Sequence, residues 1–364
     1  RISVPEDGGT LVFSFVGMEP QEVEIGARSV IDVALTSDVK ELTEVVVTAY
    51  GIERSTKNLG YAVTQVDSEE ITKGRTRDVM SSLQGKIAGV NVSTASGMPG
   101  ASTKVILRGY SSLTGANNPL YIVDGTPINN SSNYVYDPSN EVNRSLDFGN
   151  RANDINPDDI ASVTILKGAS ATALYGSRAA NGVIVITTKK GSKQQTPKVN
   201  ISSSATFSRP LRLPQLQNVF GQGWNGHFAY DENGSWGPRL DGEVRLHGNV
   251  VDNSQQYKTF EARENLKDFY VTGTSFINTV SVSGGSDIAT YYLSYGRVNE
   301  DGMVPEDKDT HTRNTVSLRG TIGQDKLKVS GSINYSNKSI NAIAAGQGGD
   351  GATLFQELIQ IPRD

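Results

Sequence analysis

The chain has 364 residues, more than one average domain needs, with 34 Lys+Arg against 39 Asp+Glu and a formal net charge of −5. That balance offers no basic field to nucleic acid, and the lack of cysteine removes disulfides and thiolate chemistry. Mean hydropathy is −0.35, and no apolar run approaches the roughly 18 residues of a membrane helix, which excludes a helical membrane protein but not a barrel, whose alternating strands vanish in hydropathy averages.

The chain opens at Arg1 with neither Met nor a signal peptide, which predicts a processed or truncated start. Thr10–Val16 and Ser29–Leu35 each carry apolar residues at period two, as half-buried strands of a small β-sandwich do. Two or three strands cannot hold a core alone, so residues 1–39 read as the tail of such a domain. Residues 40–51, KELTEVVVTAYG, contain the strand-prone run Val45–Thr48 with no neighbour to pair with. Propensity alone leaves two readings open: one more sandwich strand, or a strand held for a partner's sheet edge.

Thr76–Val90 places Val79, Leu83, Ile87 and Val90 at helical spacing, although Gly85 and Gly89 weaken an isolated helix. Lys104–Arg108, Leu120–Val123, Val163–Lys167 and Val183–Thr187 are β-branched runs ended by Gly or Pro and predict buried strands. Ala169–Tyr175 predicts a short helix that Gly176 ends. Asn129–Asn153 is a polar insertion holding Tyr134, Tyr136, Arg144 and Arg151, of a length found in functional loops.

From Lys198 the pattern changes. Val199, Ile201, Ala205 and Phe207 alternate with Asn200, Ser202, Ser204 and Thr206, and Leu327, Val329, Ile333 and Tyr335 alternate with Lys328, Ser330, Ser332 and Asn334. Phe276–Gly284, Ile288–Arg297 and Arg313–Ile322 lie between them, each about the 9–11 residues of a tilted barrel strand. The connections Arg209–Ser275 and Val298–Thr312 are long, while Gly285–Asp287 and Gly323–Asp325 are short, an asymmetry expected of outer-membrane barrels. Five strands cannot close a barrel, so most of it is expected to lie outside this chain.

Enzyme chemistry finds little support. His227, His247 and His311 fall in the predicted long loops and read as solvated, with no metal site. Asp154, Asp158 and Asp159 could pair as glycosidase carboxylates, but Pro157-Asp158-Asp159 reads better as the acidic first turn of a helix. No G-x-S-x-G nucleophile turn occurs. Arg108, at a strand end, would need carboxylate partners if buried and would sit in solvent if not.

The run LQGKIAGVNVSTASGMPGASTKVILRGYSSL, then PLYIVDGTPINN and INPDDIASVTILKGASATALYGSRAANGVIVITTKKG, closely resembles the plug domain of SusC/RagA-family TonB-dependent outer-membrane transporters. TLVFSFVGMEPQEVEIG resembles the end of the carboxypeptidase-regulatory-like extension that precedes such plugs, and LTEVVVTAYG is similar to the TonB box. The resemblance implies an α+β plug inside an antiparallel transmembrane β-barrel, only part of which is present, preceded by part of a small β-sandwich. It implies an extension at 1–39, a TonB box and linker at 40–51, a plug at 52–191 and barrel strands and outside loops at 198–364. Leu42, Thr43, Glu44, Val45, Val46, Val47 and Thr48 would bind TonB, and Arg108 would lock plug to wall. The plug loops suggest Asn117, Asn118, Asn129, Asn130, Tyr134 and Arg144 as substrate contacts. The implied function is import of an oligosaccharide or oligopeptide across the bacterial outer membrane with a SusD-like surface lipoprotein, as a dimer of such pairs, with no cofactor. The alternative from another class is a non-transporting surface adhesin or β-rich binding module.

Overall fold

The computed structural model describes residues 9–14, 21–24, 31, 33–34, 45–47, 53–55, 63–113, 117–131, 134–135, 146–167, 175–193, 196–229, 231, 234–251, 254–324, 327–343 and 354–361. The chain divides into a unit of 1–46 with 53–60 and a unit of 47–52 with 61–364. In the first, β1 (Thr10–Phe13) and β2 (Gln21–Glu24) form an antiparallel hairpin with Leu11 opposite Val23. The strand expected over Ser29–Leu35 is not formed at the described positions Ile31, Val33 and Ala34, and the rest of that run lies outside the described residues. Pairing with the nearer QEVE segment closes a shorter loop at lower entropic cost. β3 (Val45–Val47) pairs with β4 (Glu53–Ser55) in a two-stranded sheet, so the strand expected to lack a neighbour has one.

In the second unit, β5 (Val63–Asp67) runs into the helix Ser68–Lys73. A second helix, Val79–Ser82, starts at Asp78, whose carboxylate accepts from the Ser81 N–H at 2.8 Å. The longer helix predicted over Thr76–Val90 stops there. Gly85 and Gly89 take φ of 75° and 71°, a left-handed geometry that ends an α-helix, and Leu83 and Ile87 reach the core from turns instead. β6 (Val90–Thr94) and β7 (Thr103–Leu107) make a hairpin, followed by β8 (Leu120–Val123), β9 (Thr126–Ile128), β10 (Tyr134–Val135), β11 (Leu146–Asp147), β12 (Ile160–Leu166) and β13 (Val183–Thr188). The helix expected at 169–175 falls on residues that, before Tyr175, lie outside the described set. Pro157–Asp159 is a helix start as expected, with Pro157 in the first turn and Asp158 and Asp159 as its acids, but a 3-10 helix of one turn, because the β-branched run IASVTIL that follows extends as a strand.

A five-stranded sheet in the order β5-β12-β13-β8-β9 carries the plug, with β13 and β8 parallel and the other pairs antiparallel. Every residue of β13 is buried, Ile184 and Ile186 on one face and Val183 and Val185 on the other. Each such side chain contributes about 1.5–3 kcal/mol by leaving water, so β13 is the strand around which the plug closes.

The wall is an antiparallel meander of β14 (Lys198–Ser208), β17 (Gly273–Gly285), β18 (Ala289–Asp301), β19 (Thr310–Gln324) and β20 (Leu327–Ile340), in that order. The connection 209–272 carries its own hairpin, β15 (Val244–Val251) with β16 (Ser254–Thr259). The wall strands run 11 to 15 residues, longer than expected and long enough to project past a bilayer. On one face Ile201, Val280, Tyr295, Leu318 and Ile333 are exposed, and on the other Thr279, Ser281, Ser294, Thr315 and Arg313 are buried. An apolar outer face over a polar inner face is the inversion that lipid contact requires. Among the described residues no helix is long and apolar enough to cross a membrane.

Candidate functional site

The polar inner face of the wall closes on the plug, and the contacts concentrate at a few carboxylates. β8 and β9 are joined by the two-residue turn Asp124-Gly125, with φ of 46° and 87°, a geometry that matches strand twist in a tight hairpin. The turn sets the Asp124 carboxylate against β13, where it accepts from the Thr188 N–H at 3.0 Å and the Thr188 hydroxyl at 2.6 Å. Arg319 of β19 donates to Asp124 Oδ1 and to Thr188 Oγ1, both at 2.8 Å.

Asp159, at the end of the 3-10 turn, accepts from the Tyr292 hydroxyl on one oxygen and from the Ser317 hydroxyl on the other, each at 2.9 Å. Asn156 caps that turn and also donates to Thr279 at 3.3 Å. Gly296 lies opposite, where an added Cβ would stand 2.5 Å from Asn156 Nδ2, so the close approach of wall to plug depends on the missing side chain. Lys189 donates to the Asp158 carbonyl at 2.7 Å, and burial lowers its pKa against the pull of Asp158 and Asp159. Acceptors filled in this way hold the two parts in one register.

A second cluster sits at the other end of the same strands. Arg313, 2% exposed, donates to the backbone carbonyls of Asn153 and Arg77. Glu300 is buried with His311 Nδ1 at 2.7 Å, the Ser275 hydroxyl at 3.0 Å and Arg77 Nη1 at 3.9 Å. Lys338 reaches Asp154 at 3.0 Å.

The sequence-predicted residues are placed as follows. Arg108 is exposed at a φ of 59° and donates to the Lys167 carbonyl of its own domain. Among the described residues no carboxylate reaches it, and the arginines that bridge wall and plug there are Arg313 and Arg319. The Asn117 amide accepts from the N–H groups of Ser111 and Ser112 at 2.8 and 2.9 Å and so pins its own loop. Asn130 accepts from the Ala152 N–H at 2.6 Å, and Asn129 closes a turn on Ser131 at 3.0 Å. Asn118 is exposed, and Tyr134 opens β10. Leu42, Thr43, Glu44, Thr48 and Arg144 lie outside the described residues, and Val45, Val46 and Val47 form β3. His311, expected in a solvated loop, is 2% exposed in β19 because the strand starts at Thr310 and turns it inward. His247 stacks on Phe228 with ring centroids 4.9 Å apart. No group of three His, Cys, Asp or Glu among the described residues could hold a metal ion.

Sequence reasoning passed over Asp124, Glu300, Arg313 and Arg319, and weighed Asp159 only as a catalytic carboxylate or a helix-start acid. The signal was present in β19, where His311, Arg313, Thr315, Ser317 and Arg319 share the parity opposite to Val316 and Leu318. Charges on the inward parity of a barrel strand need a partner within the lumen.

Comparison with known proteins agrees with this architecture. Residues 55–183 match the TonB-dependent Receptor Plug Domain family. The chain is 32% identical over 332 residues to the TonB-dependent receptor SusC of Bacteroides thetaiotaomicron, covering 91% of this chain and 30% of SusC. It is 32% identical over 328 residues to the TonB-dependent receptor P26 of Formosa agariphila, covering 90% of this chain and 30% of that protein. Among solved structures it is similar to the RagAB peptide importer in its open-open state, with a TM-score of 0.63 and 27% identity over 82% of this chain and 33% of that one. The chain thus spans about a third of the length of the proteins it matches.

Proposed function

Because the chain belongs to the SusC/RagA-like TonB-dependent receptors, a family of outer-membrane proteins, we propose that the whole protein imports a bulky nutrient, an oligosaccharide or an oligopeptide. The observation that carries this is the junction itself. A strand wall, apolar outside and polar inside, holds a separately cored α+β domain through side-chain hydrogen bonds rather than a shared apolar core. A plug held in that way closes a lumen and can still be released.

The outer membrane has no nucleotide energy source, so release must be driven mechanically from the periplasm. In this reading residues 40–51 are the handle. Val45–Val47 leaves its pairing with β4, and Leu42–Thr48 adds as a strand to TonB, an exchange that is feasible because an isolated two-stranded pair is marginal. Residues 1–39 are the end of an N-terminal extension, 52–191 the plug and 198–364 the first part of the barrel. A SusD-like lipoprotein covers the outer face, two such pairs associate, and exposed plug residues such as Asn118 meet substrate. No catalytic step is assigned to the protein.

The test is deletion of Leu42–Thr48, or Val46→Pro, which removes a donor and breaks strand pairing. Both changes should leave barrel assembly and substrate binding near wild type and abolish uptake, measured side by side as growth and as binding to purified full-length protein. Normal uptake in the deletion would refute TonB dependence.

A further inference from the structure

On the outward parity of the wall, cross-strand register sets the side chains in rows. Ile201, Val280, Tyr295, Val316 and Tyr335 form one apolar row across the five strands. The next row toward the long connections is polar throughout: Ser203, Asn278, Arg297, Asn314 and Asn337. From Ile322, at the other end of the outward face, β19 rises roughly 26 Å to Asn314, or about 20 Å along the normal of a tilted barrel. The polar row thus marks one border of the roughly 25 Å apolar band of such a wall.

Arg297 is the cation of that row. It is exposed, and among the described residues no side chain pairs with it. The first carboxylate on its parity of β18 is Asp301, roughly 13 Å further on. The residues directly across from it on both neighbouring strands are amides whose oxygens are already taken. Asn278 Oδ1 accepts from the Ser203 hydroxyl at 2.7 Å, and Asn314 Oδ1 from the Tyr295 hydroxyl at 2.9 Å. What each amide has left is its NH2 group, and side chains so opposed stand about 4.5–5.5 Å apart. The guanidinium is therefore flanked by donors on both sides, with no acceptor among them. Beyond the row the exposed rings of Phe207 and Phe276 meet edge to face at 6.4 Å, so apolar surface borders these donors above and below.

We propose that Arg297, Asn278 and Asn314 bind the phosphate of a phosphorylated lipid headgroup in the outer leaflet. The phosphate sits on the guanidinium, whose fork matches its oxygens, and takes an amide N–H from either side. The acyl chains then lie over Tyr295 and the apolar rows beneath. The lining selects this ligand: donors without an acceptor call for an anion, and the apolar surface on both sides favours an amphiphile over a free ion. The contact fixes the depth at which this part of the wall sits in the leaflet. The choice of leaflet rests on the long connections facing outside, and the site stands whether or not the import reading does.

The probe is monophosphoryl lipid A, titrated in detergent into full-length protein and read by native mass spectrometry. The same lipid with its phosphate removed and inorganic phosphate are the other arms. The phosphorylated lipid should bind about tenfold tighter than its dephosphorylated form. Arg297→Gln should bring that preference below roughly threefold, and Arg297→Lys, a cation without the fork, should keep part of it. Asn278→Ala and Asn314→Ala should each lower it by about twofold to threefold. The preference is a ratio measured within one variant, so a general loss of lipid binding cannot imitate its loss. Equal binding of the two lipids, a preference unchanged in Arg297→Gln, or displacement of the lipid by an equal concentration of inorganic phosphate would overturn the proposal. Labelling of Ser286→Cys but not Asp307→Cys on intact cells would reject the outer leaflet and retain the phosphate site.

Discussion

Replacing Arg319 by Ala removes two charge-assisted donors from the plug, one to Asp124 Oδ1 and one to Thr188 Oγ1, both at 2.8 Å. Hydrogen bonds to a charged group are worth about 1.5–3 kcal/mol each. The loss should be nearer one bond than two, for two reasons. Asp124 keeps the N–H and hydroxyl of Thr188, and the paired side chains are 16% and 9% exposed, so some water can enter. The expected weakening of plug–wall docking is therefore about 2–3 kcal/mol, roughly 30- to 150-fold in the opening equilibrium. Native-state hydrogen exchange on full-length protein reads this directly. The Asp124 N–H donates to the Ile186 carbonyl at 3.0 Å and the Thr188 N–H to Asp124, so both amides should exchange faster by that factor. Arg319→Lys, a cation without the planar fork, should fall between. Arg108→Ala is the internal control. Arg108 is exposed, so its loss should cost no more than about 0.5 kcal/mol. Exchange in Arg319→Ala within threefold of wild type, or a larger effect from Arg108→Ala, would refute the assignment of the lock.

Two further outcomes follow from the same contacts. Gly296→Ala should force a methyl against Asn156 Nδ2 at 2.5 Å and Thr315 Oγ1 at 2.7 Å, loosening the Pro157–Asp159 turn by about 1–3 kcal/mol, as a thermal shift with the barrel still assembled would show. The alternation of long and short connections predicts that 302–309 faces outside and 286–288 the periplasm. An impermeant thiol reagent on intact cells should then label Asp307→Cys and not Ser286→Cys, and the opposite pattern would invert the topology.

The local grammar of this chain was legible without coordinates. Period-two alternation after Lys198 determined the wall strands and their two faces, because a pleated strand has no other way to separate lipid from lumen. The β-branched run VIVITT could only be a central strand, and it is buried on both faces. Turn and helix ends were less legible. Leu83 and Ile87 kept helical spacing while Gly85 and Gly89 broke the helix, and PDD started a helix that the strand behind it held to a single 3-10 turn. Partnership was not legible at all. Asp124, Asp159, Glu300, Arg313 and Arg319 are ordinary charges along the sequence, and Asp124 and Arg319 are separated by 195 positions. Strand alternation says which way a side chain points but not what stands opposite it. Only the closing of the wall on the plug decides which charge leaves water and which stays in it.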